Sequence, residues 1–149
     1  MVTKRYDMKI VIDTNVFINS FFRKSKNYWI WKALVAEQLT LCVTTDILLE
    51  YEEIINRRYG DPLLATSVLD ALQLMPNLIN ARKDFFFQLI PQDQDDEKFA
   101  DCAIAVSANY LVTNDKHFNP LKKIPFPIVN IVNEDEFRLV YESYFNVIL

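Results

Sequence analysis

Ile10, Val11 and Ile12 are three consecutive apolar residues, and Asp13 follows them at once, with Val16, Phe17 and Ile18 close behind. A short run with no polar alternation suits a strand covered on both faces, as in a parallel sheet. A carboxylate set against that much apolar surface is costly unless something compensates its charge. Asp13 therefore constrains both the fold, as the end of a buried strand, and the chemistry, as an acid that needs a partner.

The same punctuation recurs along the chain. "NYWIWKALVAEQ" is helical in period and "LTLCVTT" reads as a second strand. "TTDILLEYEEIINRRYG" follows as a helix, with Thr44 or Thr45 as N-cap and Gly60, the only glycine, just past its end. "DPLLATSVLDALQLMP" is another helix, capped by Asp61 with Pro62 at its first position, and "NLINA" is a candidate third strand. "PQDQDDEKFADCAIAVSANYLVTNDKHF" gives a helix with an acidic start, apolar to Ala108, and then a strand from Tyr110 to Val112. "FPIVNIVNEDEFRLVYESYF" closes with a strand and a helix, Asn133 serving as cap with Glu136 three residues on. Strands alternating with helices predict an α/β fold, a central parallel sheet between helical layers. In such sheets ligands bind at the carboxyl ends of the strands. Asp13 and Asp115 both fall there.

Composition narrows the classes further. The 149 residues are 51% hydrophobic, which fits a globular chain of one domain spanning 1–149 with a core of its own. A formal net charge of −4 argues against binding nucleic acid through a basic face alone. It is compatible with an enzyme that meets nucleic acid through a cation held by acids. A single glycine excludes a phosphate-cradling glycine-rich loop. Neither a membrane span nor a secretory leader is evident, and Cys42 and Cys102 sit in apolar surroundings without metal-ligand spacing. These features predict a cytoplasmic protein with reduced, buried cysteines.

Four acids are candidates for one cluster: Asp13, Glu50, Asp101 and Asp115. Asp101 is embedded in the apolar helix "FADCAIAV", where an aspartate has little local use. Asp96 opens the same helix, and an N-terminal dipole role weighs about evenly with a metal role. In the second helix Ile47, Leu48, Tyr51, Ile54 and Ile55 mark the buried face. Glu53 lies opposite, four residues before Arg57, as a solvated ion pair. Glu50 and Glu52 flank the apolar face; geometry does not choose between them, and Glu50 is preferred as nearer the helix start. Clustered carboxylates repel unless they share protons or hold a cation, and oxygen-only donors suit Mg²⁺ or Mn²⁺.

At these residues the chain resembles the PIN-domain family of metal-dependent ribonucleases, in particular the single-domain prokaryotic branch that supplies toxins of toxin–antitoxin systems. The matching pieces are "IVIDTNVFINS", "TTDILLEYEEIINR" and "DQDDEKFADCAIAVSANYLVTNDKHF", in family order across nearly the whole chain. The resemblance implies a three-layer α/β/α sandwich. It makes Asp13, Glu50, Asp101 and Asp115 the catalytic acids and ligands of Mg²⁺ or Mn²⁺, and Asp96 an additional acid not ranked against Asp101. Asn15, Thr113 and Asn114 match polar positions that orient the acids or contact phosphate. The implied reaction is metal-assisted hydrolysis of phosphodiester bonds in single-stranded RNA, and the implied partners are an antitoxin protein and a second copy in a homodimer. A non-catalytic PIN scaffold for RNA binding or assembly is the alternative. A phosphatase using Asp13 as nucleophile is disfavoured, because that class commonly has a second aspartate where this chain has Asn15.

The remaining candidates read more plainly. His117, the one histidine, is expected at the surface or beside an acid. Arg23, Lys24 and Lys26, then Arg57 and Arg58, then Lys116, Lys122 and Lys123 are scattered cations that suit solvated surface at least as well as an RNA backbone. Tyr28, Trp29 and Trp31 could stack on bases, but core packing is favoured, as it is for Phe85, Phe86 and Phe87.

Overall fold

The computed structural model describes residues 8–81, 94–125 and 127–149, with the backbone alone for 94–97. Phe85–Phe87 fall outside the described residues, as does the side chain of Asp96.

Five strands form one parallel sheet: β1 (Met8–Ile12), β2 (Leu39–Val43), β3 (Leu78–Asn80), β4 (Tyr110–Val112) and β5 (Ile131–Val132). Their order is β3-β2-β1-β4-β5, with Ile12 opposite Val112 and Ile10 opposite Leu41. β1 is central, and Ile10, Val11 and Ile12 are fully buried, as an apolar run without alternation requires. All five residues of β2 are buried, Cys42 among them; Cys42 and Cys102 are free thiols in the core. Burial pushes the Cys42 thiol up to about 11, so it stays protonated.

The helices are α1 (Thr14–Ile18), α2 (Tyr28–Val35), α3 (Thr45–Tyr59), α4 (Pro62–Leu74), α5 (Gln94–Ala105) and α6 (Glu134–Phe145), with a 3-10 helix at Lys116–Lys123. They flank the sheet as the expected α/β/α sandwich: α5 lies across β1, β2 and β4, α2 against β2 and α6 against β5. Local chemistry sets the ends. Thr44 Oγ1 accepts from Ile47 N, which decides the cap of α3, and Gly60 closes that helix with a left-handed φ of 58°. Asp61 caps α4 ahead of Pro62, and Asn133 and Glu136 form a reciprocal capping box at α6. α5 stops at Ala105, short of the Ala108 end expected from its apolar run.

Two elements have no helical signal in the sequence. α1 is a single turn of five residues, too short to display a period, and it starts because the Asp13 carboxylate accepts from Thr14 N. The 3-10 helix carries Pro120 and is capped by Asp115, with Phe118 and Leu121 buried. Trp29 and Trp31 pack against the core, Trp29 beside Phe137 and Tyr141 and Trp31 edge-on to Phe17.

Tyr51 fixes α3 over the end of β1. It is fully buried, its ring stacks on Phe17 at 4.2 Å, and its hydroxyl donates to the carbonyl of Ile12. The residue that precedes it, Glu50, is thereby brought to the carboxyl end of the central strand. Tyr51→Phe should lower the unfolding free energy by about 1–3 kcal/mol, the cost of leaving a buried polar group without its partner. Urea denaturation followed by far-ultraviolet circular dichroism would measure it; an unchanged midpoint would show that the hydroxyl does not anchor the helix.

Candidate active site

The strand order reverses direction between β1 and β4, since the chain runs outward from β1 to β2 and β3 on one side and from β4 to β5 on the other. A crevice opens beyond the carboxyl ends of strands at such a point. Asp13 leaves β1 on one lip and Thr113, Asn114 and Asp115 leave β4 on the other.

Asp13 is only 7% exposed. Its Oδ1 accepts from Thr14 N at 2.7 Å, and its Oδ2 accepts from the Thr113 hydroxyl at 2.7 Å across the reversal. Thr113 Oγ1 in turn accepts from Asp115 N at 3.0 Å, so one buried hydroxyl orders both lips. Burial pushes the Asp13 carboxyl above the usual 3.8; the bonds from Thr113 and Thr14 pull it back, and the negative fields of Glu50 and Asp115 push it up again. Three acids thus share one electrostatic neighbourhood.

α3 brings Glu50, not Glu52, to this place. The Thr14 hydroxyl donates to Glu50 Oε2, while Glu52 faces α4 in a groove with Thr66, Leu69 and Asp70. Lys98, on α5, completes the contact: its Nζ lies 2.6 Å from Glu50 Oε1, with both side chains mostly withdrawn from solvent. Asp101, one turn further along α5, is 3% exposed. Asp115 caps the 3-10 helix through His117 N at 2.9 Å, and His117 Nδ1 lies 3.4 Å from the same oxygen, leaving the imidazole exposed beside an acid as expected.

The polar positions divide. Thr113 is part of the Asp13 clamp. Asn15 is exposed, and its Oδ1 accepts from Arg58 Nη2 at 3.2 Å, which places a cation from the end of α3 on the rim. Asn114 Oδ1 accepts from Glu134 N at 3.1 Å and steadies the start of α6. Thr14, Lys98 and Arg58 are the residues that sequence reasoning left out of the site. Lys98 had one available signal, a cation one turn inside an otherwise acidic helix start, where the helix dipole favours anions. Of the basic loop after β1, Lys26 pairs with Glu134 at 3.3 Å, and Glu53 pairs with Arg57 at 2.5 Å as the spacing predicts.

The donors are of the kind a hard divalent cation takes, all carboxylate oxygens, and the field at Asp13 has the sign that a cation would relieve. As arranged, the acids are turned to protein donors: Asp13 to Thr14 and Thr113, Glu50 to Thr14 and Lys98. Among the described residues no three histidine, cysteine, aspartate or glutamate side chains stand close enough together to hold a metal ion.

The fold and these residues define an α/β sandwich with Asp13, Glu50 and Asp115 gathered at the carboxyl edge of its sheet. Residues 9–117 match the PIN domain model, and the chain belongs to the PIN-domain family. Among solved structures the chain is similar to VapBC2 from Rickettsia felis, crystallised bound to a DNA fragment from their promoter. The TM-score is 0.58 and the identity 20%, over 85% of this chain and 98% of that one; at that identity the likeness is one of fold. No curated protein matches the chain.

Because the native value of Asp13 lies above the unfolded one, the stabilisation from its neutral form is complete below the unfolded value and is lost as pH rises through the native value. Thr113→Val removes the hydroxyl that favours the charged form. It should raise the Asp13 value further and move that loss to higher pH. Carboxyl ¹³C titration of both proteins would read this directly; an unchanged or lower Asp13 value in the variant would contradict the clamp.

Proposed function

We propose that the chain is a Mg²⁺- or Mn²⁺-dependent endoribonuclease that cleaves single-stranded RNA, and that it is the toxin of a toxin–antitoxin pair. The observation that carries the reading is the buried Asp13 of a PIN domain, lying in the combined field of Glu50 and Asp115 at the reversal point of the sheet. Asp13, Glu50, Asp101 and Asp115 would hold the cation, with Asp96 as a further acid. When bound, the cation supplies an activated water and offsets the charge that develops on the phosphodiester.

The other residues have roles their own contacts support. Thr14 and Thr113 hold the acids in orientation, Thr14 by donating from its amide to Asp13 and from its hydroxyl to Glu50. Arg58, on the rim through Asn15, and Lys116 and Lys122, in a polar groove with Thr113, Asn114 and Asp115, are suited to phosphates flanking the cut. His117 is exposed and is not required as a base.

The partner reading rests on the fold shared with VapBC2 and on the family. We take residues 1–149 as a single PIN domain that is bound by an antitoxin protein and pairs with a second copy. Leu139, Tyr144, Val147 and Ile148 are exposed apolar residues that a protein interface could cover. No helix among the described residues is long and apolar enough to cross a membrane.

The test is cleavage of a mixed single-stranded RNA, with Mn²⁺ or Mg²⁺ titrated against EDTA. Metal-dependent cutting is expected, with Asp13→Asn and Asp101→Asn each reducing it by at least the ~10–100-fold that losing a group bonded to a metal ligand costs. Folded wild-type protein that stays inert with every metal and several RNAs would favour the scaffold alternative.

A further inference from the structure

Glu50 has one oxygen on the Thr14 hydroxyl and the other 2.6 Å from the Lys98 ammonium. The lysine comes from a different helix, and its side chain is 16% exposed against 21% for that of Glu50, so the pair is largely shielded from solvent. Lys98 sits on the fifth residue of α5, near a helix end whose dipole disfavours cations, behind Asp95, Asp96 and Glu97 in sequence. Neither helix propensity nor core packing calls for a half-buried ammonium there. The acid cluster does: Glu50 and Asp13 share Thr14 as a donor, and Asp13 is tied through the Thr113 hydroxyl to the Asp115 backbone.

We propose that Lys98 is a positioning residue that serves as the chain's own counter-cation, holding Glu50 in place until a divalent cation displaces it. The inference rests on the metal-dependent reading above and adds a mechanism to it. With its ammonium on Glu50, one carboxylate of the site has a counter-charge without a metal ion, and Glu50 is kept at Thr14. Glu50, released from the ammonium, would then be free to serve as a ligand of a divalent cation. Lys98 therefore competes for the ligand and sets a lower limit on the free metal concentration at which the site fills.

Calorimetric titration of Mn²⁺ into wild-type protein, Lys98→Met and Lys98→Arg would decide the matter. Lys98→Met should bind Mn²⁺ about tenfold more tightly than wild type, because a like charge next to the ion is gone, and Lys98→Arg should stay near the wild-type affinity. Metal-free Lys98→Met should melt below wild type, with Mn²⁺ restoring the difference. Equal or weaker Mn²⁺ binding by Lys98→Met overturns the competition while leaving the metal site intact. Absence of binding in all three proteins overturns the metal-dependent reading itself. A measurement on wild-type protein covers the case of a variant that does not fold: Mg²⁺ should shift the Lys98 side-chain ¹³Cε resonance as the ammonium leaves Glu50, and an unmoved resonance when Mg²⁺ saturates the site overturns the proposal.

Discussion

The site is organised around one buried carboxylate at the end of the central strand. Asp13 can be buried because two donors meet it there, the amide of Thr14 and the hydroxyl of Thr113, each at 2.7 Å. One comes from the first turn of α1 and the other from the segment after β4, so the acid joins the two lips of the crevice. A charged group in this position would otherwise cost several kcal/mol. Even with both bonds made, burial still pushes the Asp13 carboxyl upward, which leaves the group responsive to any positive charge brought near it.

A second tier of contacts carries the distant acids to the same edge. Tyr51 donates to the carbonyl of Ile12, which sets the rotation and height of α3 and turns Glu50 toward Thr14. α5 crosses three strands, presents Lys98 to Glu50 and buries Asp101. These links are made by groups that are themselves buried or half-buried, where hydrogen bonds and charges act more strongly than at the surface. The net charge of −4 takes on local meaning here. Acids converge at one place, and the chain supplies cations from two different helices, Lys98 onto Glu50 and Arg58 onto the rim.

Much of this was legible in the residues because strand ends and helix caps are written locally. An apolar triplet followed by Asp13 marks a buried strand and its carboxyl end, and Tyr110–Val112 followed by Thr113-Asn114-Asp115 repeats the sign. Thr44, Asp61 and Asn133 announce helix starts through side chains that bond their own neighbours. α1 and the 3-10 helix were not legible. The first is too short for a period, and the second holds a proline and is stabilised by burying Phe118 and Leu121. The bond that Asn114 Oδ1 accepts from Glu134 N, 20 positions away, was not legible either.

The sequence by itself determined the alternation of strands and helices, the parallel sheet that follows from it, and the acids at two strand ends. Each of these depends on residues close together in the chain. Only the tertiary structure chose Glu50 over Glu52, brought Thr113 across to Asp13 and seated Lys98 on Glu50. Those pairings join residues 36 to 100 positions apart. They depend on how far a helix is rotated over the sheet and where the strand order reverses, which no local pattern encodes.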